Sequence, residues 1–180
     1  MGWKDLRQLT NFANELVAER EVNPDLGIVS LDRRVSIEDE RRYLKKVLLG
    51  VRDDEFVSIA AFVGERMVGN CDIIRRKPSD VRHSGVLGIV ILKEFRRIGL
   101  GETIVKAALR GALDIGIWLV ELQVFSNNKA ARALYRKLGF REIGILPNKI
   151  LRRGRHFDEV QMYIDMRGID KSTELARMPS

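Results

Sequence analysis

Val86-Leu87-Gly88-Ile89-Val90-Ile91-Leu92, followed after Lys93-Glu94-Phe95 by Arg96-Arg97-Ile98-Gly99-Leu100-Gly101-Glu102-Thr103-Ile104, joins an apolar run to a glycine loop and then to a helical pattern. The first run is short and wholly apolar, as a buried strand is. Beyond the glycines, Ile104, Ala108 and Ala112, with Val105 and Leu109, mark one face of a helix reaching about Gly116. A strand-to-helix junction of this kind suits a phosphate. The first helical N–H groups lack partners, the macrodipole is positive there, and glycine lets an anion approach the backbone. Arg96 and Arg97 add positive charge. A Walker loop would need Gly-Lys-Ser/Thr where Gly101-Glu102-Thr103 stands, and a dinucleotide fingerprint would need Gly or Ala in place of Ile104. Both nucleotide motifs are excluded, although a Gly-x-Gly alone also fits a tight, closely packed turn.

Outward from the junction, the chain alternates helical and strand periods. Upstream, Leu6, Leu9, Phe12, Ala13, Leu16 and Val17 predict a helix from Asp5 to about Arg20. Ser36 and Asp39 offer a variant capping box for a second helix carrying Tyr43, Val47 and Leu48 on one face. Glu55 to Val63 and Met67 to Ile74 flank Gly64-Glu65-Arg66 and read as a hairpin. Downstream, Trp118 to Phe125 reads as a strand and Asn128 to Leu138 as a helix stopped by Gly139. Phe140 to Leu146 and Phe157 to Met166 read as strands around a polar Pro147-to-Arg155 connection. The expected fold is α+β, a mixed, mostly antiparallel sheet flanked by helices with one strand–helix–strand crossover. Residues 1–167 are expected to form one domain and residues 168–180 a tail.

Composition narrows the class. A 180-residue chain, 45% hydrophobic, suits one substantial core. The lone Cys71 excludes an internal disulfide, and no apolar run approaches the roughly 20 residues of a membrane span. Met1-Gly2 is followed by Leu6 where myristoylation wants Ser or Thr, so the expected compartment is the cytoplasm. The net charge of +7 favours polyanions. Its densest clusters, Arg75-Arg76-Lys77 and Arg152-Arg153-Gly154-Arg155, lack the interleaved aromatics of a nucleic-acid platform. His83 and His156 have neither cysteine partners nor metal-site spacing, and no metal is expected.

A second constellation is Asn128-x-x-Ala131-x-x-Leu134-Tyr135-x-x-x-Gly139-Phe140, in which Asn128, Ala131 and Tyr135 share one helical face. With Arg96-x-x-Gly99-x-Gly101 after a strand, it resembles the GNAT superfamily of acetyl-CoA-dependent N-acetyltransferases, over roughly Asp5 to Met166. The resemblance implies acetyl-CoA as co-substrate. It implies that the main-chain amides of Arg97, Ile98, Gly99, Leu100, Gly101 and Glu102 wrap the pyrophosphate, with Arg96 nearby. It further implies that Ile89, Val90 and Ile91 pair with the pantetheine arm from a splayed strand. Asn128 and Ala131 would line the other side of that arm, and Tyr135 would stand beside the sulfur. The family usually opens with a short strand, for which Met1 to Lys4 leaves little room, so a weakened sheet edge is expected.

The implied chemistry sets its own demands. An amine attacking a thioester puts charge on the carbonyl oxygen and then on sulfur, so a main-chain N–H near Val90 or Ile91 and the Tyr135 phenol are candidate stabilisers. The amine must also lose a proton. Glu121, on one side of its strand with Gln123 and Phe125, is the candidate base, while some relatives carry Glu where Gln123 stands here. Asp158, Glu159 and Tyr163 are lesser candidates for gripping a cationic acceptor. A silent acetyl-CoA sensor would have no need of an acid at Tyr135, which favours an enzyme. The acceptor, a small amine, an amino acid or a protein N-terminus, is expected to be chosen by Asn23 to Arg34 and Pro147 to Arg155. Two-fold pairing through the last strands or the tail is compatible with the sequence.

Overall fold

The structure, a computed structural model, describes residues 1–23, 25–27 and 31–168; the expected tail falls almost wholly outside them. After a single 3-10 turn at Trp3–Asp5, the order is α1 (Leu6–Val22), α2 (Ile37–Arg52), β1 (Phe56–Val63), β2 (Arg66–Arg75), β3 (Ser84–Ile91), α3 (Leu100–Asp114), β4 (Leu119–Phe125), α4 (Lys129–Lys137), β5 (Arg141–Arg152) and β6 (Arg155–Asp165). The strands form one sheet in the order β1-β2-β3-β4-β6-β5. Only β3 and β4 run parallel; every other neighbouring pair is antiparallel.

Each face of the sheet carries its own apolar layer. On one face Leu6, Leu9, Phe12 and Leu16 of α1 and Leu44 of α2 pack over Met67, Val68 and Leu92. On the other, Ile104, Val105, Ala108, Leu109 and Ala112 of α3 and Tyr135 of α4 pack over Cys71, Ile73, Leu87, Val120 and Leu122. All six residues of the stripe read in α1 are buried. Burying a Leu or Phe stabilises by roughly 1.5–3 kcal/mol, so these two stripes hold the helices to the sheet. The capping box at the start of α2 forms as read. Asp39 donates its N–H to Ser36 Oγ at 3.1 Å, and Ser36 donates its N–H to Asp39 Oδ2 at 2.9 Å.

The Pro147-to-Arg155 segment departs from its expected loop. It is the end of β5, the turn Arg153-Gly154 and the start of β6. Arg153 and Gly154 both have positive φ, 50° and 75°, as the favoured two-residue hairpin turn demands. A register shift between Leu146 and Ile150 absorbs Pro147 and Asn148, and the Asn148 N–H donates instead to Asp158 Oδ1 at 2.8 Å. A bulge on an edge strand tolerates proline, which is why the polar composition misleads. β1, the opposite edge, leaves Phe62 and Val63 exposed at its end.

Candidate active site

The cleft begins where β3 and β4 part. Their parallel pairing covers Ser84↔Leu119, Gly85↔Val120 and Val86↔Glu121, and stops there. Both strands continue, β3 to Ile91 and β4 to Phe125, so the last five residues of β3 have no strand partner on that side. The direction of the free main chain follows from its hydrogen bonds. Leu92 donates to the Val68 carbonyl and Ser84 accepts from Arg76, both on the β2 side, while the His83 carbonyl accepts from Trp118 and Leu119. A strand alternates sides at every residue. Ile89 and Ile91 therefore turn their main-chain groups into the gap, and Val90 turns its own toward Asn70 on β2. Of the two residues expected to offer a donor, the register selects Ile91. Its N–H faces the gap, and its carbonyl is held by Arg96 Nε at 2.8 Å.

At the wide end of the gap lies the glycine loop. Arg97 has φ 62° and Gly99 φ 88°, left-handed positions on either side of Ile98 that curl the chain before α3. Such curls point main-chain N–H groups at one spot. The first helical bond runs from Thr103 N–H to the Gly99 carbonyl at 3.1 Å, and Gly99 supplies no side-chain cap. The amides of Leu100, Gly101 and Glu102 are thus left for an external acceptor. Gly101 is small for a packing reason too: a Cβ there would lie 3.1 Å from Leu134 Cδ2 of α4 and 3.4 Å from Ile91 Cδ1. Arg96 is spent differently from expectation. Its guanidinium is gripped by both carboxylate oxygens of Glu19 at 2.6 Å, so it ties the loop to α1 and presents no free charge. Arg97 and Ile98 are exposed. The Glu102 carboxylate joins α3 to α4 through Lys106 and Lys137.

On the β4 side, Asn128 caps α4, its Oδ1 accepting from the Ala131 N–H at 3.1 Å. Only its amide nitrogen remains to face a ligand, and that nitrogen lies against Gly27 of the α1–α2 connection. Ala131 and Leu134, like Ile89 and Ile91, pack against the α3-side core, and Leu134 meets the two isoleucines around Gly101. Tyr135 is placed by the helix end. Phe140 donates to the Tyr135 carbonyl and Gly139, at φ 89°, to that of Arg136. This is the paired bonding of a Schellman stop, whose usual apolar contact is here the Tyr135 and Phe140 rings, 5.7 Å apart. Burial, with Cys71 close by, pushes the Tyr135 phenol well above its ordinary range, which keeps it protonated. Its hydroxyl has no hydrogen-bond partner among the described residues.

Glu121 stands on the other face. Val120, Leu122 and Val124 of β4 enter the α3 core, so Glu121 and Gln123 project toward the α1–α2 side. Arg76 Nη2 holds Glu121 Oε2 at 2.8 Å, and Tyr163 pairs opposite it on β6. Phe125, expected beside Glu121, is buried against Phe157 with the Arg152 guanidinium 5.1 Å above its ring. Asp158 is absorbed by the β5 bulge. The two segments expected to choose the acceptor meet: Arg152 donates to the Leu26 carbonyl, and Arg155 pairs with Asp25 at 3.0 Å. Pro24 and residues 28–30 of that connection lie outside the described residues.

A polar cluster on this face was missed by the sequence reading. Tyr43 of α2 donates to Asp72 Oδ2 of β2 at 2.5 Å. Asn70, two residues before Asp72 on the same face, is buried, as is Glu40. Burial first, then Asp39, pushes Glu40 up to about 7. The available signal was a pair of polar residues two apart inside the apolar run Met67 to Ile74. Asp72 pairs with Gly88, where β3 has left β4 and the main chain lies open on this side.

Residues 14–140, more than two thirds of the chain, match the family model described as acetyltransferase (GNAT) family. The chain belongs to the GNAT family. An N-alpha-acetyltransferase of Saccharolobus solfataricus is 31% identical over 90 residues, 49% of this chain and 54% of that protein. That match spans about half the length of the curated relative. Among solved structures, a GNAT acetyltransferase from Streptococcus pneumoniae is 29% identical with TM-score 0.71, covering 86% of this chain and 94% of its own. A Salmonella typhimurium structure with its cofactor acetyl-CoA shares the fold at TM-score 0.76 and 18% identity, covering 91% of this chain and 89% of its own. Among the described residues no group of three or more His, Cys, Asp or Glu could hold a metal ion, and no helix is long and apolar enough to cross a membrane.

Proposed function

We propose that this GNAT protein transfers the acetyl group of acetyl-CoA to a primary amine by direct attack. The observation that carries the reading is the parting of β3 and β4 beyond Val86↔Glu121, with unpaired main-chain groups along one wall and uncapped amides at one end. A pantetheine arm is a linear chain of amides, and an unpaired strand offers it the partners a neighbouring strand would. The amides of Leu100, Gly101 and Glu102, with Arg97 near, would hold the pyrophosphate, and the Asn128 amide nitrogen would meet the arm from the other wall. Acetyl-CoA supplies the activated acyl group.

The chain's own residues divide the remaining work between the two faces of the sheet. A gap-facing main-chain N–H of β3, that of Ile89 beside Gly88, stabilises the carbonyl oxygen as nitrogen attacks. Tyr135, from the α4 side, gives its proton to the sulfur as the carbon–sulfur bond breaks and the carbon–nitrogen bond forms. The amine comes from the α1–α2 side, where its departing proton meets Glu121 or water. An alkyl amine with pKa about 10.4 is only about a thousandth neutral near pH 7.4, so a base there raises the reactive fraction. Arg76 competes for Glu121, and Glu121→Gln tests whether that carboxylate takes the proton. The reading predicts a rate that falls mainly at low pH and recovers as rising pH deprotonates the amine; an unchanged pH profile assigns the proton to water.

A further inference from the structure

The α1–α2 face holds a cavity of about 440 Å³ beside the apex of the cleft. This is within the range of small-molecule sites. Its floor is apolar: Phe56 of β1, Ile74 of β2 and Val86 of β3 lie on one face of three neighbouring strands. Val86 is also the last residue of β3 paired with β4, opposite Glu121. The cavity thus adjoins the point where the strands part, and Gly88, the next residue on that face, lies open.

The walls are strongly basic. Lys46, Arg76 and Lys77 line the cavity against the single carboxylate of Glu55, while Arg75, whose main chain is at the wall, sends its guanidinium to the α3 face of the sheet. Three of these cations are engaged. Arg75 donates to the carbonyls of Asp54, Arg82 and Ile115, Arg76 holds Glu121, and Lys77 lies 3.5 Å from Glu55, which also takes Arg82. Lys46, from α2, has no carboxylate partner among the described residues; its ammonium stands 5.8 Å from the Phe56 ring centre. An apolar floor with an unneutralised cation at its wall suits a short aliphatic body ending in an anion.

We infer that this cavity receives the anionic end of the acceptor, so that the substrate is a small amine carrying a carboxylate or similar anion a few carbons from its nitrogen. The inference rests on the acetyl-transfer reading and names the acceptor class of that site. The spacing is set by the strand. Val86 and Gly88 are two residues apart, roughly 6.6 Å at 3.3 Å per residue, which places an anion over Val86 and a nitrogen over Gly88 at the separation of a four-methylene spacer. Asp72, opposite Gly88, lies toward the nitrogen end, and Lys46 and Lys77 lie toward the other, where Arg76 is already held by Glu121 opposite Val86, so the field across the site matches a zwitterion.

The test is calorimetric titration of the full chain, saturated with coenzyme A, with 5-aminopentanoate, 5-aminopentanamide, pentylamine and 1,5-diaminopentane. The acid should bind about tenfold more tightly than the amide or pentylamine and the diamine most weakly. In Lys46→Glu, an exposed helix position, the acid and the diamine should exchange rank. Equal affinities for the four compounds, or an order untouched by Lys46→Glu, overturns the inference, as does a free-N-terminus tetrapeptide that binds more tightly than the acid in both proteins. Turnover is assayed separately with the same compounds. No acetylation of any amine would sink the transfer reading, while the binding order would still decide the cavity's ligand.

Discussion

The two sides of the cleft are built from different materials. The glycine-loop side offers main chain: uncapped amides at Leu100 to Glu102, gap-facing N–H groups at Ile89 and Ile91, and small or apolar side chains packed behind them. The α1–α2 side works through side chains drawn from α2, β2 and β4, among them Glu40, Tyr43, Asp72 and Glu121. A main-chain site serves a ligand common to a whole family, because any sequence with the right glycines can form it. A side-chain site can differ in every member, which is where specificity belongs.

That contrast can be broken at its strongest point first. Gly101→Val should weaken acetyl-CoA binding about a hundredfold, or about 2.8 kcal/mol, because the added carbons meet Leu134 and Ile91 and cover the amides. Calorimetry with acetyl-CoA reads this directly. An affinity within a few fold of the parent would place the pyrophosphate elsewhere and remove the main-chain side of the comparison.

A middle-sized effect sharpens the other side. Glu40 has its carboxyl raised from 4.5 to about 7 by burial, so the folded state binds a proton more tightly than the unfolded chain. Stability contributed by the protonated group is fully present below about pH 4.5 and is lost as pH rises through 7. Glu40→Gln should therefore equal the parent near pH 4 and exceed it by about 2 kcal/mol at pH 8. Urea unfolding at the two pH values measures the difference; a gap independent of pH would mean that Glu40 ionises freely. Asp39, Tyr43 and Asp72 stand around it and would share any compensating shift.

The smallest effect lies outside both sides. Ser36→Ala removes the cap of α2 and should cost about 1 kcal/mol. Thermal unfolding should register it while acetyl-CoA affinity stays put. A loss of affinity would tie α2 to the cofactor side and blur the division.

The legibility of the sequence follows the same line. The stripe Leu6 to Val17, the Ser36 cap, the Gly139 stop and the Gly99-x-Gly101 loop are local patterns, and local hydrogen bonding realised each of them. The face shared by Asn128, Ala131 and Tyr135 was legible for that reason, although Asn128 spends its carbonyl oxygen on the cap. Arg96 was misjudged because its partner Glu19 is 77 residues away, and the bond of Arg152 to Leu26, 126 residues away, was equally invisible. No periodicity reveals such pairs. Asp72 and Glu121 are brought to one face by the register of β2, β3 and β4, which pattern alone does not specify. The Pro147-to-Arg155 segment failed for a related reason: a bulge and a two-residue turn hide a strand inside loop-like composition.

The central claim is that acetyl transfer occurs in the gap between β3 and β4 with Tyr135 as proton donor to sulfur. Release of free coenzyme A from acetyl-CoA, assayed with an amine panel for the parent and Tyr135→Phe alongside direct titration of acetyl-CoA, tests it. The account predicts that the variant binds acetyl-CoA about as well as the parent but turns over roughly ten- to a thousandfold more slowly, a loss of about 1.4–4 kcal/mol of transition-state stabilisation. Equal rates for the two proteins would contradict it.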